Sequence, residues 1–183
     1  MKPIELLMIE HRLIERAVEQ IRIKAKDCKV DSFCFVEFTQ LIDFLSSYSD
    51  LCHHGKEEKI LFIECESKGL TVALNNLMEQ LKLDHVKFRK MQEKMSILNE
   101  EFTKGNFSNL PKLNPLIEDF YSALNKHVHE EDSTFFPQSM KYFSSKEQEA
   151  MLKKFREFDQ AIMHEKYRQL ITELEAKTDS GAI

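Results

Sequence analysis

The sequence is poor in the two residues that most often interrupt helices and form turns. Its 183 residues include 4 glycines and 4 prolines, whereas a β-sandwich or barrel needs a turn signal about every 8–12 residues. This scarcity argues against a multi-stranded β-fold and indicates long helices. A hydrophobic content of 42% and a charged content of 31% also exclude a disordered chain. The length fits a single domain.

Three further absences narrow the class of protein. There is no excess of positive charge, because 31 acidic residues outweigh 26 basic ones and give a net charge of −5. We therefore expect no nucleic-acid partner. The sequence has no run of about 18 apolar residues and no apolar signal segment after Met1, so we expect no membrane association and a cytoplasmic location. The 4 cysteines have no CxxC spacing, and we expect reduced thiols that serve as small buried hydrophobic residues.

Apolar residues recur at helical spacing in successive segments of the chain. We predict helices over 3–26, 32–67, 71–103, 111–136 and 144–176. Four long helices with short connections predict an all-α fold, an antiparallel up-down-up-down four-helix bundle over 3–137. The fifth, C-terminal helix should pack against the outside or the end of this bundle. We expect one domain over 1–177 and a mobile tail over 178–183.

Several of the predicted helix ends carry local signals. Asp31-Ser32 offers an N-cap for the second helix, and Gly69 and Gly105 stop the second and third. Ser144 followed by Glu147 has the spacing of a capping box at the start of the fifth helix. Pro137 should end or kink the fourth helix.

The most informative feature is an internal repeat of residues that can bind metals. Two histidines, a glutamate and a phenylalanine recur 74 positions later as the same residue types. The first set is His11, His53, Glu57 and Phe62, and the second set is His85, His127, Glu131 and Phe136. One such pair could align by chance, but four pairs at one offset indicate that a helical hairpin is used twice.

The predicted turns place all four histidines at one height in the bundle. Two residues of an antiparallel pair lie at the same level when they are equally far from the turn between them. Successive pairs of the four histidines have their midpoints at positions 32, 69 and 106, and each midpoint falls on a predicted turn. The histidines should therefore lie within about one helical turn of 5.4 Å of each other.

The direction of the side chains is clear for three of the helices and ambiguous for the second. Glu57 and Glu131 each follow a histidine by four residues, which puts each pair on the same helix face. In the second helix His54 fits the apolar stripe at least as well as His53 does. The repeat favours His53, and we expect His54 and His129 to lie at the surface, so that His54→Ala should leave metal binding unchanged.

A buried group of imidazoles and carboxylates is costly unless a ligand or a hydrogen-bond network satisfies it. We therefore interpret the six residues as a metal site, with a buried polar network as the alternative. Imidazole and carboxylate ligands suit iron, manganese or zinc, and six ligands exceed the need of one tetrahedral zinc. Two metals, bridged by Glu57 and Glu131 and held by two histidines each, would use all six and keep an open position for a small molecule.

At these residues the sequence resembles the hemerythrin-like (HHE) cation-binding family over nearly all of residues 4–137. The matching motifs are Glu10-His11-Arg12, His53 with Glu57-Glu58 and Leu61-Phe62, Asp84-His85, and His127 with Glu131-Asp132 and Phe135-Phe136-Pro137. The resemblance implies a non-haem, carboxylate-bridged di-iron centre, with two Fe ions, inside a four-helix bundle.

Within that family the resemblance also implies a subtype. Oxygen-carrying hemerythrins have a fifth histidine, four residues after the position matched by His85, where this sequence has Arg89. The set of four histidines and two glutamates is similar to the di-iron proteins that repair iron–sulfur clusters. Asp132 matches the spacing of the bridging aspartate of the oxygen carriers, so the choice between Glu131 and Asp132 stays open.

The expected function is a cytoplasmic di-iron protein that binds O2, NO or peroxide, in sensing, detoxification or iron–sulfur cluster repair under oxidative or nitrosative stress. No general base or nucleophile stands out, so the sequence leaves turnover open. One alternative is an iron store or donor that passes iron to an acceptor protein. Another is a helical interaction module whose metal, such as zinc, is purely structural.

Overall fold

The computed structural model describes residues 1–26 and 35–180, and within these the chain forms helices and no strand. We number five long helices. They are α1 (Pro3–Lys26), α2 (35–66), α3 (Val72–Thr103), α4 (113–139) and α5 (Ser145–Ser180). The short 3₁₀ turns Leu110–Lys112 and Met140–Tyr142 precede α4 and α5. None of the described helices is long and apolar enough to cross a membrane.

Two of these helices change their hydrogen-bonding pattern along their length. Helix α2 consists of Phe35–Phe44, a π-helical stretch Leu45–His54, a second π-helical stretch Glu57–Leu61, and Phe62–Glu66. Helix α4 consists of Leu113–Glu130, a π-helical stretch Glu131–Phe135, and Phe136–Ser139. The stretches that begin at Glu57 and Glu131 obey the 74-residue repeat, and such stretches are frequent at functional sites.

The buried apolar side chains form two clusters, and the predicted ligands lie at the heights between them. On α1 the residue one turn before His11, Leu7, belongs to one cluster, and Ile14 belongs to the other. On α3 the residues that flank His85 are divided in the same order, Leu81 in the first cluster and Phe88 in the second. On α2 and α4 the order is reversed. The polar layer is therefore enclosed by apolar packing on both sides.

The turn and capping predictions that fall on described residues are confirmed. Gly69 and Gly105 adopt positive φ angles of 61° and 80°, which suit glycine at the end of a helix. The backbone N–H of Ser144 donates to Glu147 Oε2 at 2.8 Å, and the N–H of Glu147 donates to Ser144 Oγ at 3.4 Å. These reciprocal bonds form the predicted capping box. The predicted N-cap at Asp31-Ser32 lies outside the described residues.

Pro137 was predicted to end or kink the fourth helix, and α4 continues two residues beyond it, to Ser139. The hydrogen bonding changes from π to α at Phe136, the residue before Pro137. Pro137 thereby lies in the first turn of an α-helical stretch, where proline is tolerated. Helix α5 is also longer than expected and reaches Ser180. Residues 181–183 lie outside the described part of the chain.

Candidate metal centre

The six side chains singled out in the sequence all lie in the polar layer, and none is more than 1% exposed. They are His11 on α1, His53 and Glu57 on α2, His85 on α3, and His127 and Glu131 on α4. Together with His54 they form two groups, in each of which the potential ligand atoms lie within 4.8 Å of one another. Residues spread over more than a hundred positions therefore converge on one small volume.

The first group consists of His11, His53, Glu57 and Glu131. His11 Nε2 lies 3.1 Å from Glu131 Oε2, and His53 Nε2 lies 3.5 Å from Glu57 Oε1. The rings of His11 and His53 meet edge to face, with their centroids 4.5 Å apart. Two imidazoles and two carboxylates thus face the same point.

The second group consists of His54, Glu57, His85 and His127. His85 Nε2 lies 3.4 Å from Glu57 Oε2 and 3.2 Å from His127 Nε2. His127 Nε2 also lies 3.2 Å from Oε2 of Glu131, which contacts His11 of the first group. Glu57 belongs to both groups and Glu131 contacts histidines of both, so the two carboxylates lie between the groups.

The expectation that His54 lies at the surface is wrong. His54 is 2% exposed, and its ring stacks on that of His85 with the centroids 4.0 Å apart. The physical reason is the π-helical stretch Leu45–His54, which has more residues per turn than an α-helix and so brings neighbouring side chains closer in direction. Both His53 and His54 therefore point inward. His129 is exposed, as expected.

The sequence contained a signal for the burial of His54. The residue 74 positions after His54 is Val128, which is 3% exposed and packs in an apolar cluster. The repeat thus predicts an inward position at 54 as well as at 53. The apolar stripe of the second helix, which His54 fits at least as well as His53 does, was a second signal for its burial.

An outer set of five carboxylates faces the Nδ1 atoms of the five histidines. Four lie within hydrogen-bond distance and the fifth lies slightly beyond it. The pairs are His11 with Asp132 (2.8 Å), His53 with Glu10 (2.9 Å), His54 with Asp50 (3.2 Å), His85 with Glu58 (2.8 Å) and His127 with Asp84 (3.7 Å). A carboxylate on Nδ1 holds the proton there and leaves Nε2 free to bind a metal.

Four of these outer carboxylates also follow the internal repeat, a relation that the sequence reasoning missed. Glu10 and Asp84 are 74 positions apart and face His53 and His127, which are 74 positions apart. Glu58 and Asp132 are also 74 positions apart, and they face His85 and His11, respectively, which are again 74 positions apart. The repeat therefore encodes the residues that orient the ligands as well as the ligands. The pair of Asp50 and His54 has no counterpart in the second half.

The structure gives Glu131 and Asp132 different positions. Glu131 is fully buried between His11 and His127, whereas Asp132 lies behind His11, against Nδ1. The Asp132 side chain is 16% exposed and pairs with the guanidinium of Arg12. Glu131 thus occupies the position between the two groups.

Three cations hold four of the five outer carboxylates. Lys56 donates to Glu10 at 2.8 Å, and Arg12 pairs with Asp132. Arg89 Nε donates to Asp50 Oδ1 and Arg89 Nη2 donates to Glu58 Oε1, each at 2.8 Å. Arg89 occupies the position where the sequence lacks the fifth histidine of the oxygen carriers, and it holds the carboxylates that orient His54 and His85.

The inner carboxylates have opposite pKa shifts. Burial, reinforced by the charge of Glu131, raises the pKa of Glu57 well above its ordinary value. Burial also acts to raise the pKa of Glu131, but His127 and His11 hold it well below its ordinary value. The site therefore favours the protonated form of Glu57 and the ionised form of Glu131, as expected for two acids that share a small buried volume.

Four of the five histidines fall into two classes by the direction of their pKa shifts. Burial lowers the pKa of His11 and of His127, but the carboxylates around them raise these pKa values overall, to about 9 and about 10. Burial lowers the pKa of His53 well below its ordinary value and that of His54 to about 3. In the metal-free protein His11 and His127 are cations at neutral pH, and His53 and His54 are neutral.

The polar atoms at the centre of the site lack hydrogen-bond partners, as expected of atoms that bind a metal. His11 Nε2, His53 Nε2, and both carboxylate oxygens of Glu57 and Glu131 are buried and make no hydrogen bond. Buried polar groups of this kind are rare in native proteins and point to an ion or water that belongs there. Imidazole nitrogens and carboxylate oxygens are the donors that a transition-metal cation accepts, so the donor set fits a metal.

We expect the affinity of the centre for metal to rise with pH. Since His11 and His127 have pKa values of about 9 and about 10, a metal that binds to their Nε2 atoms must displace protons at neutral pH. The apparent affinity should increase about tenfold per pH unit for each proton displaced. A chelator-competition titration with Co²⁺ between pH 6 and pH 8 measures this slope. An affinity that is constant over that range would contradict the prediction.

Comparison with known proteins agrees with this geometry. Searches of curated proteins and of solved structures give no match. The family model described as the hemerythrin HHE cation-binding domain matches residues 2–139, the region that contains every residue of the two donor groups. The chain therefore belongs to the hemerythrin HHE cation-binding family and is a metal-binding protein.

Proposed function

We propose that the protein holds two iron ions and binds a small ligand, such as O2, NO or peroxide, at an open position of the pair. The observation that carries the proposal is the convergence of five buried imidazoles and two buried carboxylates in two groups that share Glu57. Such a centre would serve in sensing or detoxification under oxidative or nitrosative stress. An iron pair with an open position supplies reversible ligand binding and electron transfer.

The number of donors supports two ions. Seven side chains exceed the four ligands of a structural zinc, and the ligand atoms divide into two groups. Glu57 and Glu131 would bridge the ions, since each contacts histidines of both groups. Imidazole and carboxylate donors without a thiolate suit iron, with manganese or zinc as the other metals that the residue types allow.

The two groups differ in their number of histidines, and this difference indicates at which ion the small ligand would bind. The first group contains His11 and His53, and the second contains His54, His85 and His127. If both glutamates bridge, the first ion has fewer protein ligands than the second. A six-coordinate metal would therefore have more open positions in the first group, next to His11 and His53, than in the second.

Aromatic side chains close the layer around the donors. Phe136 stacks on His11 at 5.7 Å, Phe88 meets His127 edge to face at 5.1 Å, and Phe62 stacks on His85 at 6.0 Å. An apolar shell restricts water and charged molecules and admits small neutral ones. This shell supports a diatomic ligand or peroxide as the molecule that reaches the metals.

The fifth histidine bears on the proposed subtype. The similarity to iron–sulfur cluster repair proteins rested on a set of four histidines, and His54 adds a fifth to the donors. This addition favours ligand binding over cluster repair. We also propose the up-down-up-down topology, because the helices meet the two apolar clusters in alternating order. A cytoplasmic location and a redox or iron-acceptor protein as partner belong to the same proposal.

Metal analysis combined with optical spectra tests the proposed function. Protein loaded anaerobically with ferrous iron should contain two irons per chain and develop new absorption bands on exposure to O2, NO or peroxide. One ion per chain, or spectra that do not respond to any of these ligands, would overturn the proposal. Colourless protein that binds zinc and unfolds when chelated would favour a structural metal. Iron that passes readily to an acceptor from protein that stays folded would favour an iron store.

A further inference from the structure

Helix α5 lies outside the two donor groups, yet it contacts a lysine that is buried beside them. Lys56 follows His54 by two residues and is 1% exposed. Lysine is almost never fully buried unless its charge is paired. The partners of Lys56 therefore indicate what its burial serves.

Lys56 Nζ is shared between two carboxylates from different helices. It donates to Asp159 Oδ1 on α5 at 2.6 Å and to Glu10 Oε1 on α1 at 2.8 Å. The other oxygen of Glu10, Oε2, accepts from Nδ1 of His53 at 2.9 Å. Asp159, Lys56, Glu10 and His53 thus form a continuous chain of charge-assisted contacts from α5 to the first donor group.

The same part of α5 is fixed against α2 by a close approach at a glycine. A Cβ atom added to Gly55 would lie 2.8 Å from the Phe158 ring, which is closer than real Cβ contacts. Lys59 Nζ lies 5.5 Å from the centre of the same ring. Phe158 and Asp159 therefore dock α5 directly on the turn of α2 that carries the ligands.

We propose that Asp159 is a positioning residue for the first donor group, so that docking of α5 and the affinity of the ion bound by His11 and His53 are coupled. The inference rests on the proposed metal centre. It assigns to the fifth helix a role in metal binding, although α5 supplies no ligand.

The coupling follows from competition for one ammonium group. With Asp159 in place, Lys56 divides its hydrogen bonds between two carboxylates, and Glu10 retains charge density to accept from His53. Without the Asp159 charge, Lys56 interacts with Glu10 alone, and Glu10 holds the Nδ1 proton of His53 less strongly. Residues that orient a ligand histidine typically change metal affinity about 10–100-fold when they are replaced. Since Asp159 acts through Glu10, we expect a loss near the lower limit of that range.

The effect should be confined to one of the two ions. His54 and His85 in the second group are held by Asp50 and Glu58, and these carboxylates are paired with Arg89. That network contains neither Lys56 nor Asp159. A merely structural role of α5 would weaken both groups alike, whereas the proposed role weakens the first.

A Co²⁺ titration of the full chain against a competing chelator tests the proposal. Asp159→Asn should weaken one Co²⁺ equivalent about tenfold and leave the other within about twofold. Asp159→Glu, which keeps the charge, should restore most of the affinity. Glu157→Gln is the matched control, because Glu157 is exposed on the same helix and pairs with Lys153, one turn earlier on that helix. In a His53→Ala background Asp159→Asn should have no further effect on the remaining ion.

Hydrogen exchange gives a second, independent measurement. By linkage, metal that binds more tightly when α5 is docked must also stabilise the docked helix. Loading wild-type protein with Co²⁺ should therefore slow amide exchange around Asp159, and this slowing should be smaller in Asp159→Asn. If Asp159→Asn cannot be purified folded, the exchange rates of the wild type with and without Co²⁺ test the proposal.

Three results would overturn the proposal: equally weakened binding of both ions in Asp159→Asn, unchanged binding of both ions, or amide exchange around Asp159 that metal does not slow. Wild-type protein that binds fewer than two ions would instead overturn the proposed function.

Discussion

Glu57→Gln should remove metal from both donor groups and reduce the metal content from two ions per chain to less than one. Glu57 is the residue that belongs to both groups, with Oε1 facing His53 and Oε2 facing His85. An amide has the same size as the carboxylate but lacks its charge and binds metals weakly. Metal analysis after anaerobic loading with ferrous iron and desalting measures the loss.

The same variant separates metal binding from stability. In the metal-free protein the oxygens of Glu57 make no hydrogen bond, so glutamine should not lower the free energy of unfolding. Metal at a free concentration of a hundred times its Kd should stabilise the wild type by about 2.7 kcal/mol per ion and Glu57→Gln by far less. Urea unfolding with and without metal measures this difference. Glu66→Gln, an exposed glutamate of the same helix, is the control. Full metal content in Glu57→Gln would contradict the account.

His54→Ala and His53→Ala should each remove about one ion per chain, but from different groups. His54 belongs to the group that contains His85 and His127, whereas His53 belongs to the group that contains His11. Each substitution removes one imidazole, which leaves the affected group with one ligand fewer and with a cavity that water can enter. Metal content and two-site Co²⁺ titrations measure the effect.

The two variants form a matched pair, because they remove the same side chain from adjacent positions that are both buried. His129→Ala, which removes an exposed histidine of α4, is the control and should retain both ions. Retention of both ions in His54→Ala would contradict the assignment of His54 to a donor group. It would also restore the expectation from the sequence that His53 alone serves the second helix.

The sequence predicted most of the helices because their determinants are local. Glycines with positive φ end α2 and α3, and a capping box begins α5, as their sequence signals indicate. Helix α4 runs two residues past Pro137, because the effect of a proline depends on the hydrogen bonds that precede it. A π-helical stretch cannot be read from an apolar periodicity of 3.6 residues, since its hydrogen bonds span five residues rather than four.

The candidate site was predictable where the repeat constrained it and unpredictable where the repeat is broken. The offset of 74 located six donors that converge in the structure, and the same offset relates Glu10 to Asp84 and Glu58 to Asp132. His54 was misplaced because Leu45–His54 is π-helical, whereas the corresponding part of α4 is α-helical. The link from Asp159 to Lys56 joins α5 to the bundle and has no counterpart in a repeat that ends before α5.

A crystal structure of ferrous-loaded protein with anomalous scattering at the iron edge tests the central claim most directly. The account predicts two anomalous peaks inside the bundle, one bound by His11 and His53 and the other by His54, His85 and His127, with Glu57 and Glu131 bridging the two. A single peak, or iron bound elsewhere while the five imidazoles bind no metal, would contradict it.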